Sequence, residues 1–245
     1  MNPTVIFLLA AAVTLAASYI QGSTGFGFGI FAMIFLPNLL LYTEANLLSS
    51  ILSALSALFA AILSFRRIHW KNLRFPVLGC LFSMYLAVSF IKGQSPRILS
   101  LLLGIALFLL SVYFFFFSGK IKIRPTWYAG LIAGLLSGFL GGMFAIGGPP
   151  VVIYFMQSEE DFDGYFATIS AYFVFSGAIS VSMKTAAGFF TGSVWIALAI
   201  CLPMMLVGAY IGKRTKDRIN PNLIKKVVYG FMAVSGLVNV VTALV

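Results

Sequence analysis

The 245-residue chain is 61% hydrophobic and only 9% charged, and it carries a formal net charge of +10. An average soluble domain has roughly 25% charged residues, so this composition excludes a soluble globular protein and predicts an all-α integral membrane protein. The basic residues lie almost wholly between apolar runs, where cytoplasmic loops of membrane proteins collect Lys and Arg. The charge therefore indicates orientation in a lipid bilayer and no nucleic-acid partner.

Ten apolar segments follow one another along the chain, five in each half. The first and second segments, taken as a pair, are shorter than two full membrane spans, and so are the sixth and seventh. We therefore expect helical hairpins or broken helices at both pairs. The amino terminus has no basic stretch before its apolar run, and no cleaved signal peptide is expected. The predicted segments are 4–20, 27–42, 45–65, 75–91, 97–117, 126–140, 144–156, 165–183, 193–211 and 223–244.

A glycine-rich stretch interrupts the apolar sequence once in each half. We call residues 21–29 the first break and residues 137–150 the second break. Glycine lets the backbone leave helical geometry, but the exposed N–H and C=O groups persist in a membrane only when they are buried in protein or line a wet cavity. Breaks at corresponding positions of two halves are typical of a transporter's substrate site. The glycines correspond at a spacing of 116 residues, Gly22 and Gly25 with Gly138 and Gly141.

The distribution of Lys and Arg predicts the topology. If each break-containing unit crosses the membrane an even number of times, all but three of the 16 Lys and Arg residues fall on one side, the exceptions being Lys92, Arg97 and Lys184. If each unit crosses once, the two sides share the basic residues equally, so the first arrangement is favoured by the positive-inside rule.

This topology predicts two inverted repeats with one site between them. Because each half has five segments, the second half enters the membrane from the opposite side to the first. Residues 1–118 form the first repeat, 119–125 a basic connecting loop and 126–245 the second repeat. Both termini are expected outside and the basic loops in the cytoplasm.

The breaks and two serine-bearing segments supply the candidate substrate-binding residues. Polar side chains, freed backbone N–H groups and helices that start near Phe28 and Pro149 favour an anion. The alternative is that the small residues only permit close helix packing. The candidates are Gln21, Gly22, Ser23, Thr24, Gly25, Ser50, Ser137, Gly138, Gly141, Gly142, Gly147, Gly148, Pro149 and Ser170.

No Asp, Glu, Lys or Arg is expected in the middle of a predicted segment, so neutral donors and helix dipoles should hold a charged substrate. Without intramembrane carboxylates, an anion fits better than a metal cation, and no metal or other cofactor is expected. We expect Glu44 at a mouth of the protein and His69 at the membrane interface. The acidic loop 159–163 is expected to be solvated and to pair with Lys or Arg. Cys80 and Cys201 are expected to be small core residues.

The two breaks resemble the paired signatures of the TauE/SafE family of sulfite and sulfonate exporters. The resemblance rests on Gly22–Gly29 running on to Pro37, and on Gly138–Gly142 running on to Gly147–Pro150, and it extends over essentially the whole chain. It implies a transporter of the inner membrane for small anions, with sulfite, sulfoacetate and related organosulfur compounds as the substrate class.

Several other functions remain open from the sequence. A passive anion channel, or a transporter of a non-sulfur organic anion, would have the same features. An intramembrane enzyme is disfavoured because no base, nucleophile pair or metal set is evident. No nucleotide-binding loop of Walker type is present, which disfavours direct use of ATP. A homo-oligomer is possible for any of these functions.

Overall fold

The structure is a computed structural model and describes residues 3–117, 123–215 and 221–244. The described residues form ten α-helices and no strand, which confirms the predicted all-α class; residues 119–122 of the predicted connecting loop lie outside them. Short 3₁₀ turns follow the second and third helices, at Leu36–Asn38 and Phe65–Arg67. The helices are α1 Pro3–Thr24, α2 Phe28–Phe35, α3 Tyr42–Leu63, α4 Trp70–Ile91, α5 Pro96–Phe117, α6 Trp127–Phe144, α7 Gly148–Ser158, α8 Phe162–Ala186, α9 Gly192–Thr215 and α10 Pro221–Leu244.

Seven helices of the described part are long and apolar enough to cross a membrane. Large apolar side chains cover their outer faces, among them Phe82 and Phe115 with 66% and 68% of their surface exposed. Such an exterior is unfavourable in water, but it suits lipid. The protein is therefore a multi-pass membrane protein.

The two breaks are observed as short helices that follow long ones. The 8 residues of α2 and the 11 of α7 extend only about 12 Å and about 17 Å, well short of the roughly 30 Å hydrocarbon core. Positive φ angles turn the chain at Gly25 (84°) and Gly27 (101°) in the first break and at Ala145 (56°) in the second. The prediction of broken helices is thus confirmed.

The register between the two breaks differs from the one that glycine spacing predicts. Thr24 and Phe144, which end the long helices, are 120 residues apart, as are Phe28 and Gly148, which begin the short ones. Gly25 therefore corresponds to Ala145, and both have left-handed backbone conformations. The predicted spacing of 116 residues is wrong because glycines with different roles were matched.

Close packing joins helices of one half to helices of the other. The main pairs are α1 with α9, α4 with α6, α3 with α8 and α5 with α10. The first two pairs are counterparts, since each joins the first helix of one half to the fourth of the other. Glycine allows their backbones to touch: a Cβ atom on Gly134 would lie 2.0 Å from the Pro76 carbonyl oxygen, and one on Gly208 would lie 2.3 Å from that of Leu15.

The other two pairs join corresponding helices of the halves, and both run antiparallel. Along α3 and α8, Ser50 contacts Ser180 while Ala54 contacts Gly177, so α3 advances as α8 recedes. Along α5 and α10, Gly104 contacts Gly236 and Ser111 donates to the Tyr229 carbonyl. Corresponding helices thus point in opposite directions.

We predict that Gly134→Ala destabilises the fold. The new Cβ would collide with Pro76 backbone, which cannot move as a flexible side chain does, and overpacking of this kind costs about 1–3 kcal/mol. Gly230→Ala in α10 is the matched control because nothing lies within 4 Å of its Cβ position. Thermal unfolding in detergent should give a lower Tm for Gly134→Ala only; an unchanged Tm would contradict the close contact of α4 and α6.

Candidate functional site

The two breaks meet at a small cavity between the halves. A Cβ atom on Gly29 would lie 1.7 Å from the Ala145 carbonyl oxygen, and Phe26 packs against Gly148, so the two stretches are in direct contact. The cavity measures about 50 Å³, which is room for a few waters or one small ion. Its walls are Gln21, Gly27, Phe28 and Gly29 from the first break, Ile30 from α2, Ser137, Gly141, Ala145, Ile146, Gly147 and Gly148 from the second break, Ser50, Ser53 and Ala54 from α3, Met84 from α4, and Phe173, Ser176, Gly177 and Ser180 from α8.

Two helix N-termini border this cavity. The short helix α2 begins at Phe28 and α7 begins at Gly148, and both residues line the wall. The first N–H groups of a helix have no intrahelical acceptor and carry a partial positive charge. In α7, Pro149 and Pro150 have no N–H, so only Gly148 and Val151 provide such groups in its first four residues. The convergence of the two N-termini produces a region that favours a negative ligand.

Hydrogen bonds from both halves hold the second break in place. Tyr42 Oη and Asn46 Nδ2, at the start of α3, donate to the Met143 carbonyl oxygen at 2.6 Å and 2.8 Å. Tyr172 Oη of α8 donates to Ser137 Oγ at 2.8 Å, and Ser137 Oγ donates to the Gly147 carbonyl. Carbonyls that the broken helix leaves free are thereby satisfied without water.

Hydrogen bonds within the first half hold the first break. Gln21 Nε2 donates to the Ser53 carbonyl at 3.3 Å, and Ser53 Oγ donates to Gln21 Oε1 at 3.4 Å, which ties the end of α1 to α3. Thr24 Oγ1 lies 2.8 Å from the Ile20 carbonyl and accepts from the Phe26 N–H. The amide of Gln21 is thus oriented at the cavity wall.

Lys184 is a buried lysine beside the cavity, one residue past the predicted end of its apolar segment at residue 183. Its side chain is fully buried, and its Nζ donates to Ser50 Oγ at 2.8 Å and to the Gly141 carbonyl at 3.1 Å. Among the described residues, no carboxylate lies within ion-pair distance of it. The sequence predicts no ionisable residue in the middle of a segment, and Lys184 lies in the last turn of α8, yet its side chain is buried beside the cavity.

The position of Lys184 explains why it was missed. It lies in the last turn of α8, which continues past the predicted end of the segment at residue 183. A lysine near a helix end usually extends its side chain towards the interface. Here the side chain turns inward to α3 and α6, and this orientation depends on contacts that are distant in sequence. The only local indication is that the helix continues through Thr185 and Ala186.

Glu44 joins the two halves beside a surface opening. It is only 6% exposed, in the first turn of α3, where its Oε1 accepts from Thr191 Oγ1 at 2.6 Å. It also lines an open depression of about 470 Å³ with Asn38 and Ser193, as expected of a residue at a mouth of the protein. Thr191 directly precedes α9, so this contact joins the start of α3 to the loop between α8 and α9.

Six of the residues predicted to bind substrate line the cavity: Gln21, Ser50, Ser137, Gly141, Gly147 and Gly148. Three others lie at helix contacts, where a Cβ would come within 2.6 Å of another helix: Gly22, Gly138 and Gly142. The remaining five serve local geometry around the breaks. Ser23 and Ser170 donate to carbonyls of their own helices, Thr24 bonds within the turn, Gly25 has a positive φ, and Pro149 lies in the first turn of α7.

A cluster of charged residues joins the halves at another face. Arg67 contacts Asp163 at 2.9 Å and Asp161 at 3.7 Å, and His69 Nδ1 contacts Glu159 Oε2. The predicted pairing of the acidic loop with a basic residue is confirmed. Hydrogen bonding to Glu159, together with its negative charge, raises the pKa of His69 above its ordinary value. In the part of the chain that the structure describes, no group of three or more His, Cys, Asp or Glu residues could hold a metal ion.

Beside this cluster lies an open depression of about 520 Å³. Arg66, Arg67 and Lys213 line it together with Asp163, and we call this the basic face. Lys213 Nζ donates to Ser64 Oγ at 3.1 Å. Clustered cations of this kind raise the local concentration of anions.

Comparisons with known proteins agree with one another. The family model described as "Sulfite exporter TauE/SafE" matches residues 9–238. A protein named "Probable sulfite/organosulfonate exporter TauE", from Cupriavidus necator, is 22% identical over 227 residues, which cover 89% of this chain and 87% of that protein. No solved structure matches the chain.

We predict that His69 stabilises the protein more at low pH. A raised folded-state pKa means that this contribution is complete below the ordinary pKa of about 6.5 and is lost as pH rises through the raised value. The difference in Tm between the natural protein and His69→Gln should be larger at about pH 6 than at about pH 9.

Asn72→Ala is the matched control because Asn72 Nδ2 donates to the same carboxylate, at 2.9 Å, without carrying a charge. Its effect on Tm should be equal at the two pH values. A His69→Gln difference that stays constant or grows with pH would show that the His69 and Glu159 contact does not depend on the imidazolium charge.

Proposed function

The chain belongs to the sulfite exporter TauE/SafE family, and from this we propose that it is a secondary transporter that exports a small sulfur oxyanion or sulfonate across the cell membrane. Sulfite, sulfoacetate and related organosulfur compounds are the proposed substrates. The observation that carries the proposal is the cavity between the two breaks, which two helix N-termini and several neutral donors border.

The chemistry of the cavity supports an anion. Hydroxyl groups of Ser50, Ser53 and Ser137 and the amide of Gln21 lie in its wall, and among the described residues no carboxylate does. A divalent metal cation normally takes carboxylate ligands, whereas neutral N–H and O–H donors and the N-termini of α2 and α7 stabilise negative charge. At about 50 Å³, the cavity suits a compact ion.

The packing of the helices supports inverted repeats, which we place at residues 1–118 and 126–245. Corresponding helices run antiparallel where they meet, in α3 with α8 and in α5 with α10. Two repeats of the same orientation would make these pairs parallel. Repeats related by an axis in the membrane plane place their breaks against each other at mid-depth, as a transporter site requires.

We propose alternating access around this cavity. At one face the halves are joined by Arg67 with Asp163 and by His69 with Glu159. Elsewhere they are joined by Glu44 with Thr191. If the contact of Glu44 with Thr191 lies at the opposite face, breaking the contacts at one face while keeping those at the other would expose the cavity to one side of the membrane at a time.

We infer that the basic face is cytoplasmic and that both termini lie outside. Arg66, Arg67 and Lys213 would then attract anions on the side from which export begins. A membrane potential that is negative inside contributes about 2.3 kcal/mol per charge per 100 mV to outward movement of an anion. Export therefore needs no nucleotide hydrolysis.

The proposal predicts saturable uptake of sulfite or a sulfonate by proteoliposomes, which Gly141→Leu abolishes. A Cβ at Gly141 meets only Met84 Cε at 3.5 Å and Gly147 Cα at 3.6 Å, so Gly141→Ala should keep most of the activity. The longer leucine would fill the small cavity, and we expect the flux to fall by about tenfold or more, equivalent to about 1.4 kcal/mol.

Gly93→Leu is a second control because nothing lies within 4 Å of the Gly93 Cβ position. It should transport as the natural protein does. Flux that survives Gly141→Leu in folded protein would place the substrate elsewhere. Ohmic single-channel current in place of saturable counterflow would identify a passive channel, and no flux of any sulfur anion would refute the proposed substrate class.

A further inference from the structure

We propose that Lys184 supplies the single counter-charge of the substrate site and thereby selects monovalent anions. This inference rests on the proposed function and narrows its substrate class. Hydrogensulfite and simple sulfonates then come first among the substrates. Sulfate, doubly ionised sulfite and sulfoacetate with both acids ionised come last.

The geometry places the ammonium group one hydrogen bond behind the cavity wall. Its two acceptors, Ser50 Oγ at 2.8 Å and the Gly141 carbonyl at 3.1 Å, both belong to residues that line the cavity. An ammonium group has three N–H donors, and these two contacts use two of them. The third can serve an anion that enters between α3 and α6.

Lys184 has an unusual environment for a lysine. It is the only Lys or Arg of the described residues that is buried, and its acceptors there are a neutral hydroxyl and a neutral carbonyl. Burying a charge without an opposite charge is unfavourable in a low-dielectric site. An anion in the cavity offsets this penalty, so the substrate gains more from Lys184 than from any neutral donor.

The charge balance of the wall then sets the preferred valence. Of the residues that the structure describes, no Asp, Glu, Lys or Arg lines the cavity. Glu44, the nearest acid on α3, precedes Ser50 by six residues, or about 9 Å along the helix, and accepts from Thr191. The one full positive charge pairs with one negative charge; a second negative charge would meet only the partial charges of the α2 and α7 N-termini and would be poorly compensated in the membrane interior.

Competition during counterflow tests the inference. Proteoliposomes take up labelled methanesulfonate against unlabelled methanesulfonate, sulfate or dimethyl sulfone, which is a neutral molecule of nearly the same shape. In the natural protein, unlabelled methanesulfonate should compete more effectively than sulfate or dimethyl sulfone, by about tenfold or more. In Lys184→Met, the advantage of methanesulfonate over dimethyl sulfone should shrink to within about threefold, because the counter-charge that only the anion uses has been removed.

Two further variants separate charge from structure. Lys92→Met removes an exposed lysine at the end of α4, next to the end of α8, and should leave the preference unchanged. Lys184→Arg retains the charge and should retain the order of preference. Since Lys184→Met removes a buried charge that has no opposite charge near it, its Tm should equal or exceed that of the natural protein.

The outcomes distinguish the two proposals. If the natural protein transports no sulfur anion, the proposed function fails. If it transports methanesulfonate but sulfate competes equally well, or if Lys184→Met keeps the full preference over dimethyl sulfone, the function stands and the role of Lys184 is refuted. The sulfate comparison uses the natural protein alone, so it decides the valence even if Lys184→Met does not fold.

Discussion

Backbone groups that leave helical geometry inside a membrane must find partners within the protein, because lipid offers none. The fold of this chain depends on meeting that requirement twice. At the second break, the Met143 carbonyl receives two donors from Tyr42 and Asn46, and the Gly147 carbonyl receives Ser137. The N–H groups left over at the N-termini of α2 and α7 lie at the cavity between the breaks.

The partners that satisfy the second break come partly from the first half, and this couples the two halves. The donors Tyr42 and Asn46 are on α3, yet they hold the end of α6. The Gly141 carbonyl, also on α6, receives Lys184, which at the same time donates to Ser50 on α3. A ligand that changes one of these contacts therefore acts on both halves. This is the property that an alternating-access transporter needs.

Most of the fold could be predicted from the sequence because apolar length and glycine punctuation are local signals. The ten segments and the two breaks correspond to ten helices and two changes of direction. The register between the breaks could not be read from glycine identity. Gly22 and Gly138 serve helix packing, whereas the left-handed turn is made by Gly25 in one half and by an alanine, Ala145, in the other.

The candidate site was less accessible to sequence reasoning. Polar residues at the breaks, such as Gln21 and Ser137, could be proposed because they are close in sequence to the glycines. Phe173 and Ser180 reach the cavity only through the packing of α8 on α3. Lys184 was placed at the end of an apolar segment because a charge conventionally ends such a segment, and its burial follows from contacts with residues 134 and 43 positions away.

The most direct test of a single anion site between the breaks is a crystal structure with selenite, the selenium analogue of sulfite, located by its anomalous scattering. We predict one strong selenium peak in the cavity, within hydrogen-bonding distance of Ser50 Oγ and of the first N–H groups of α2 or α7. Selenium found only at the basic face, among Arg66, Arg67 and Lys213, with the cavity lacking a peak, would contradict the account.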